Sequence, residues 1–360
     1  MKTVFVIGAG ANVEIRMPSG NELKKIITEY LKPNKRYPNI KEDDLIDQAF
    51  NAYAEHYSKE NDIDYSRALR EIKTAAIELS RAMPLSESID SYIERHKKSW
   101  AAVFCGKLVI VRAILNAEFH CAIPPIWNEH SSNELEEEKI LFNSWYPLLF
   151  QKITEGCEID ELEKRFENIS FIIFNYDRCF EYFMYRSLIF STRDIDPEIA
   201  KKIVEKLHIN HPYGTVGSLW NKNGDITFGK KPNRIDLINL ALRIKTFSER
   251  TNMEGKKDGF QNFIREADRI IFLGFAYHKQ NIDLLFDHLN NNDKTNNRIL
   301  SKNIVYYGTG YGISKNDLKH LNYTLKSKDI RIKSDDNIDI SPVSCSDFFH
   351  DFRHRLSFKE

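Results

Sequence analysis

The chain is 360 residues long, balances 52 Lys+Arg against 52 Asp+Glu, and is 12% aromatic with only 15 Gly and 11 Pro. A chain of this length buries one large core or two moderate ones, and its aromatic content excludes a disordered polypeptide. Zero formal charge excludes bulk electrostatic attraction to nucleic acid or to a membrane surface and leaves room only for a local basic patch.

Val4 to Ile7 is a β-branched and aromatic run that stops at Gly8-Ala9-Gly10, and the capping sequence Ser19-Gly-Asn-Glu22 opens an amphipathic pattern. This predicts strand, glycine turn and helix. Glycines at such a turn let the backbone approach a phosphate, and the N–H groups of the next helix supply positive partial charge, so a nucleotide is the first ligand to consider. The dinucleotide fingerprint is incomplete, because Val13 stands where a third small residue belongs. A tight turn with no ligand is the competing reading. A signal peptide is a third, since Lys2 precedes the apolar run, but the pattern passes into a helix without a break.

From residue 20 to about 165 the pattern is helical, with apolar residues at three- and four-residue spacing over Ser19–Tyr30, Glu42–Tyr57, Tyr65–Met83, Ser86–His120 and Glu134–Thr154. Breakers fall at Pro33, Pro38, Pro84 and Pro124-Pro125. The most apolar part, Trp100 to Phe119, carries Lys107, Arg112 and Glu118 and therefore reads as a core helix, not a membrane span.

At Ile169 the character changes. Ile169 to Phe174 is a continuous apolar run of the kind a buried parallel strand needs, followed by Asn175-Tyr176-Asp177 and a helix to about Leu188. A helix over Pro197–Lys206 precedes a short strand, His208 to Asn210, which leads into His211-Pro-Tyr-Gly214. Residues 215 to 230 read as loop and hairpin with an Asn223-Gly224 turn. Helices over Ile235–Thr246 and Phe260–Ala267, a strand Arg269–Leu273, a helix His278–Leu289, a strand Asn303–Tyr307, a helix to about Leu325 and a last one near Asp347–Arg355 follow.

Strands alternating with helices predict an α/β fold, a Rossmann-like parallel sheet with a large helical insertion: residues 1–19 plus 166–360 form the core and 20–165 the insertion. In such sheets ligands bind outside the carboxyl ends of the strands. Those ends carry Gly8-Ala9-Gly10, Asn175-Tyr176-Asp177, His211, Gly274-Phe275 and Gly308-Thr-Gly310. Asn175 and Asp177 also suit a helix cap, and His211 a loop histidine with its hydrogen bonds satisfied. Five irregularly spaced cysteines include no C-x-x-C pair and no Cys/His set at zinc spacing. Reduced core thiols in a cytoplasmic protein without a metal are expected.

In order along the chain stand Gly8-Ala-Gly-Ala-Asn-Val-Glu14, Phe174-Asn-Tyr-Asp177, His211-Pro-Tyr-Gly214 and Leu273-Gly-Phe-Ala-Tyr-His-Lys-Gln-Asn281. This series resembles the sirtuin-like domain of bacterial anti-phage defence proteins, over most of the chain. The resemblance implies an NAD hydrolase that takes NAD as substrate and cleaves its nicotinamide–ribose bond. It assigns Asn175 to the ribose or the attacking water, Asp177 to its support and His211 to the general base, with His208 and His278 as alternatives. Gly8 and Gly10 would cradle the pyrophosphate, and Ala9, Asn12, Glu14, Tyr176, Gly274, Phe275 and Asn281 would complete the NAD site.

Asn12 departs from the small serine usual in that opening. It leaves open a non-catalytic NAD or ADP-ribose sensor, whereas protein deacylation lacks the cysteine pairs of a zinc ribbon. The Gln280-Asn-Ile-Asp283 sequence resembles a deacylase motif but stands after His211, at a predicted helix start. The implied partners are a homo-oligomer and a HerA-type ATPase or an Argonaute-like protein. No nucleic-acid motif or membrane segment is expected.

Overall fold

The computed structural model describes residues 1–32, 44–124, 134–191, 195–220, 225–246, 249, 259–290 and 303–358. The expected Asn223-Gly224 turn, Pro33, Pro38, Pro125 and the start of the second expected helix lie outside these residues.

Three strands form the centre: β1 (Thr3–Ile7), β2 (Ile169–Ile173) and β4 (Arg269–Leu273), buried at every position. Their continuous apolar runs are what a strand covered on both faces requires. With β3 (His208–Asn210), β5 (Val305–Thr309) and β6 (Ile338–Ser341) they make one parallel sheet in the order β3-β2-β1-β4-β5-β6. Thr3 pairs with Ile169 on one side and Arg269 on the other, so β1 sits centrally in register with both neighbours. The strand order reverses between β1 and β4, which makes their carboxyl ends the topological switch point of a Rossmann-like α/β fold. β6 was not expected. It is a four-residue edge strand in which Ile338 and Ile340 alternate with Asp339 and Ser341, too short a run to stand out in the sequence, and pairing of Ile338 with Tyr306 places it.

Helices α1 (Gly20–Leu31), α2 (Asp44–Asn61), α3 (Tyr65–Ala82), α4 (Ile89–Arg95) and α5 (Trp100–His120) form the helical unit. The single helix expected over 86–120 is two, because Ser88 and Ser99 each accept a hydrogen bond from an N–H three residues on and start a new helix. α5 is long and apolar enough to cross a membrane by length and composition alone, but most of it is buried inside the fold. Its Lys107 pairs with Glu249 and its Glu118 with Arg178.

The last helices of the 20–165 segment pack on elements of the core. α6 (Glu134–Phe142) packs on α7 (Trp145–Thr154) and on the glycine loop, while α7 packs on α9 (Cys179–Ser191) and α8 (Ile159–Phe166) on β2. Conversely α11 (Arg234–Ala241), after α10 (Pro197–Lys206) in the chain, packs on α5 and α2. Helices α12 (Gly259–Glu266), α13 (Lys279–Asn290), α14 (Lys315–Lys328) and α15 (Cys345–Asp351) follow in the last third of the chain.

At the switch point two backbones meet. Gly8 and Gly10 donate their N–H groups to the carbonyls of Leu273 and Gly274 at 2.9 and 3.0 Å. A Cβ on either glycine would fall within 2.7 Å of the Gly274 oxygen, and one on Gly274 would lie 1.8 Å from the Ala11 nitrogen. Gly274 also has φ of +54°, in the left-handed region. Gly274→Ala should therefore cost about 3 kcal/mol or more, since strain and collision add. Gly20→Ala, with nothing within 4 Å, should be neutral. Denaturant unfolding of both variants measures this, and equal stabilities would contradict the close approach.

Candidate functional site

A cavity of about 960 Å³ opens at the carboxyl ends of β1, β4 and β5. Its floor is Gly8, Ala9, Gly10 and Gly274, and Phe174, Tyr213 and Phe275 form an aromatic wall, with the Phe174 ring 5.0 Å from Phe275 and 5.9 Å from Tyr213. The first turns of α1 (Ser19, Gly20, Asn21) and α13 (Gln280, Asn281) line it. Both helices present positive dipole ends there. Among the described residues no Lys or Arg lines the cavity, whereas Glu14, Glu22, Glu87, Asp90 and Asp347 do. Neutralisation of an anionic ligand would fall to main-chain N–H groups.

Of the residues assigned from the sequence, Gly8, Ala9, Gly10, Glu14, Gly274, Phe275 and Asn281 line this cavity; Asn12, Asn175, Tyr176, Asp177 and His211 do not. The glycines are where expected, but the close approach they permit is to the Gly274 backbone, and their N–H groups are spent there. Glu14 accepts from the N–H groups of Trp145 and Ser346, each at 2.9 Å, and so ties the loop to α7 and α15. Burial pushes its pKa up against those bonds.

Instead of a turn, residues Ala9–Ile15 form a 3-10 helix, and Asn12 points into the protein. Its amide nitrogen donates to both Asp177 oxygens at 2.9 and 3.1 Å, and its oxygen accepts from the Tyr146 hydroxyl at 2.9 Å. Asn12 is thus a buried cross-link between the loop and Asp177, where the sequence suggested a bulky group facing the ligand. Asp177 also accepts from the Cys179 N–H at 3.1 Å and caps α9. Burial, then the neighbouring Glu118 carboxylate, raise its pKa to about 6. Glu118 is itself paired with Arg178, which donates on to the carbonyls of Ser218 and Ile226.

Asn175 stands two residues past the end of β2 and is 5% exposed; neither atom of its amide has a partner among the described residues. His211 lies against it, Nδ1 at 3.0 Å from the Asn175 carbonyl and Nε2 at 2.8 Å from Glu181 Oε1. The Tyr176 hydroxyl donates to Asp90 of α4. Of the alternative histidines, His208 stands at the amino end of β3, stacked on Phe263, whereas His278 lines the cavity and pairs with Glu87 at 2.7 Å. Gln280 to Asp283 form the first turn of α13, and Asn281 accepts from the Tyr213 hydroxyl at 2.8 Å.

Sequence reasoning missed Glu181 and Asp90. A carboxylate inside the apolar run Cys179-Phe-Glu-Tyr-Phe-Met184 is a signal for Glu181, because it needs a buried partner. Nothing local marks Asp90, whose partner is 86 positions away. Four of the five cysteines are buried, as expected of core thiols, and Cys157 is half-buried. Among the described residues no group of three His, Cys, Asp or Glu side chains could hold a metal ion. No protein-family model and no curated protein matches the chain.

The buried Asp177 makes stability depend on pH. Its folded pKa lies above the unfolded one, so its contribution is full below about pH 4 and is lost as pH rises through about 6. Relative to Asp177→Asn, the wild-type unfolding free energy should fall by about 3 kcal/mol across that window. Urea titrations at a series of pH values test this; parallel curves for the two proteins would refute it.

Proposed function

We propose that the cavity binds NAD as substrate and that the chain cleaves its nicotinamide–ribose bond, giving nicotinamide and ADP-ribose. The observation that carries this is Asn175, whose buried amide has no partner among the described residues and stands immediately after Phe174 of the cavity wall. A buried polar group left without a hydrogen bond costs about 1–3 kcal/mol, and such a cost is explained where a substrate or water completes the bond.

The cavity volume suits a dinucleotide, its place is the switch point of the sheet, and the first turns of α1 and α13 suit the pyrophosphate. Loss of nicotinamide passes through an oxocarbenium-like state, which anionic groups stabilise. Asp90 is the wall carboxylate that Tyr176 orients. In this scheme the Asn175 amide holds the ribose or the attacking water, and Asp177 supports the segment through Asn12 and the α9 cap.

One observation favours a second reading, binding without cleavage: Asn175, Asp177 and His211 lie outside the lining of the cavity. The motif resemblance extends the first reading to a cytoplasmic anti-phage effector that depletes NAD. It would act as a homo-oligomer with a HerA-type ATPase or an Argonaute-like protein.

Incubating the purified chain with NAD, alone and with the product of a neighbouring gene, and following nicotinamide by chromatography tests the proposal. Asn175→Ala and His211→Ala should each lower turnover about 100-fold or more, with unchanged circular dichroism. Full turnover in both variants would sink the site assignment. NAD binding by calorimetry without turnover under any condition would establish the second reading.

A further inference from the structure

The His211 ring is held at both nitrogens. The Asn175 carbonyl, 3.0 Å from Nδ1, has no proton to give, so Nδ1 carries one and donates. Nε2 faces the Glu181 carboxylate at 2.8 Å, and the two side chains are only 10% and 17% exposed. The other Glu181 oxygen is buried with no partner among the described residues, so Oε1 and the His211 ring carry this contact.

A general base needs a neutral ring with a lone pair toward the substrate. His211 offers neither nitrogen to the cavity, which it does not line. We propose that Glu181 is a positioning residue: it holds His211 as an imidazolium whose Nδ1–H fixes the Asn175 carbonyl, and thereby aims the Asn175 amide. This rests on the NAD-cleavage reading and changes the part His211 plays in it.

Burial alone would lower the His211 pKa, but the Glu181 carboxylate and the Asn175 carbonyl outweigh it and raise the value above 6.5. Asp177 adds in the same direction. The two roles differ in sign. A base becomes competent as pH rises through its pKa, whereas an imidazolium strut is lost.

The experiment is the pH profile of kcat for wild type, Glu181→Gln and Glu181→Asp, with the His211 ring titrated by two-dimensional NMR. Wild-type kcat should decline as pH rises through the His211 pKa. Glu181→Gln should move that decline to lower pH, lower kcat about 10-fold or more with KM nearly unchanged, and lower the His211 pKa. Glu181→Asp should restore part of each. A kcat that climbs through the His211 pKa would overturn the proposal, as would an unchanged His211 titration in Glu181→Gln. An inactive wild type would overturn the functional reading and the catalytic part of this proposal, while the NMR titration would still decide whether Glu181 holds the ring charged.

Discussion

Where β1 and β4 run side by side, Gly8, Gly10 and Gly274 bring two backbones together so closely that no side chain fits on any of them. Two hydrogen bonds close the contact, from Gly8 to Leu273 and from Gly10 to Gly274. The floor of the cavity is the upper surface of this contact, and the 3-10 helix beyond Gly8 starts from it. The direction of that helix decides that Asn12 enters the protein and that Glu14 reaches α7 and α15. A wider separation would move every one of these groups.

Behind the loop the protein spends its buried polarity on cross-links. Asn12 joins Asp177 to Tyr146, and Arg178 joins Glu118 to two carbonyls in the loop before α11. Trp145 donates from its indole to the Ala11 carbonyl at 2.9 Å. Buried ion pairs of this kind add little net stability, because desolvation offsets attraction, but removing one partner leaves an uncompensated charge. They act as specification. Each holds a segment at the carboxyl end of the sheet against a helix that the chain reaches more than 30 residues away.

The central strands were legible because a strand covered on both faces must be apolar throughout, and Ile169–Phe174 and Arg269–Leu273 are close to that. Edge strand β6 was not, since partial exposure removes the requirement. The glycine loop was read at the right place, but one of the backbones that approaches it, that of Gly274, could not be read: local sequence shows that a close approach is needed, not by what. Asn12 could not be read as a cross-link, because its partners stand 165 and 134 positions away. The partners of α7 were illegible for a related reason. Periodicity reports that a helix has an apolar face, but the face that covers α7 is supplied by α9 and α15.

The packing of α11 on α5 and α2, with Lys107 reaching Glu249, joins parts of the helical unit that stand more than 100 residues apart in the chain. When the first 230 residues have left the ribosome, α5 lacks one of its covering helices and a lysine that ends only 7% exposed has no counter-charge. Contacts of such long sequence separation close late. The face of α5 that α11 covers is therefore completed only by a segment made more than 100 residues later in the chain.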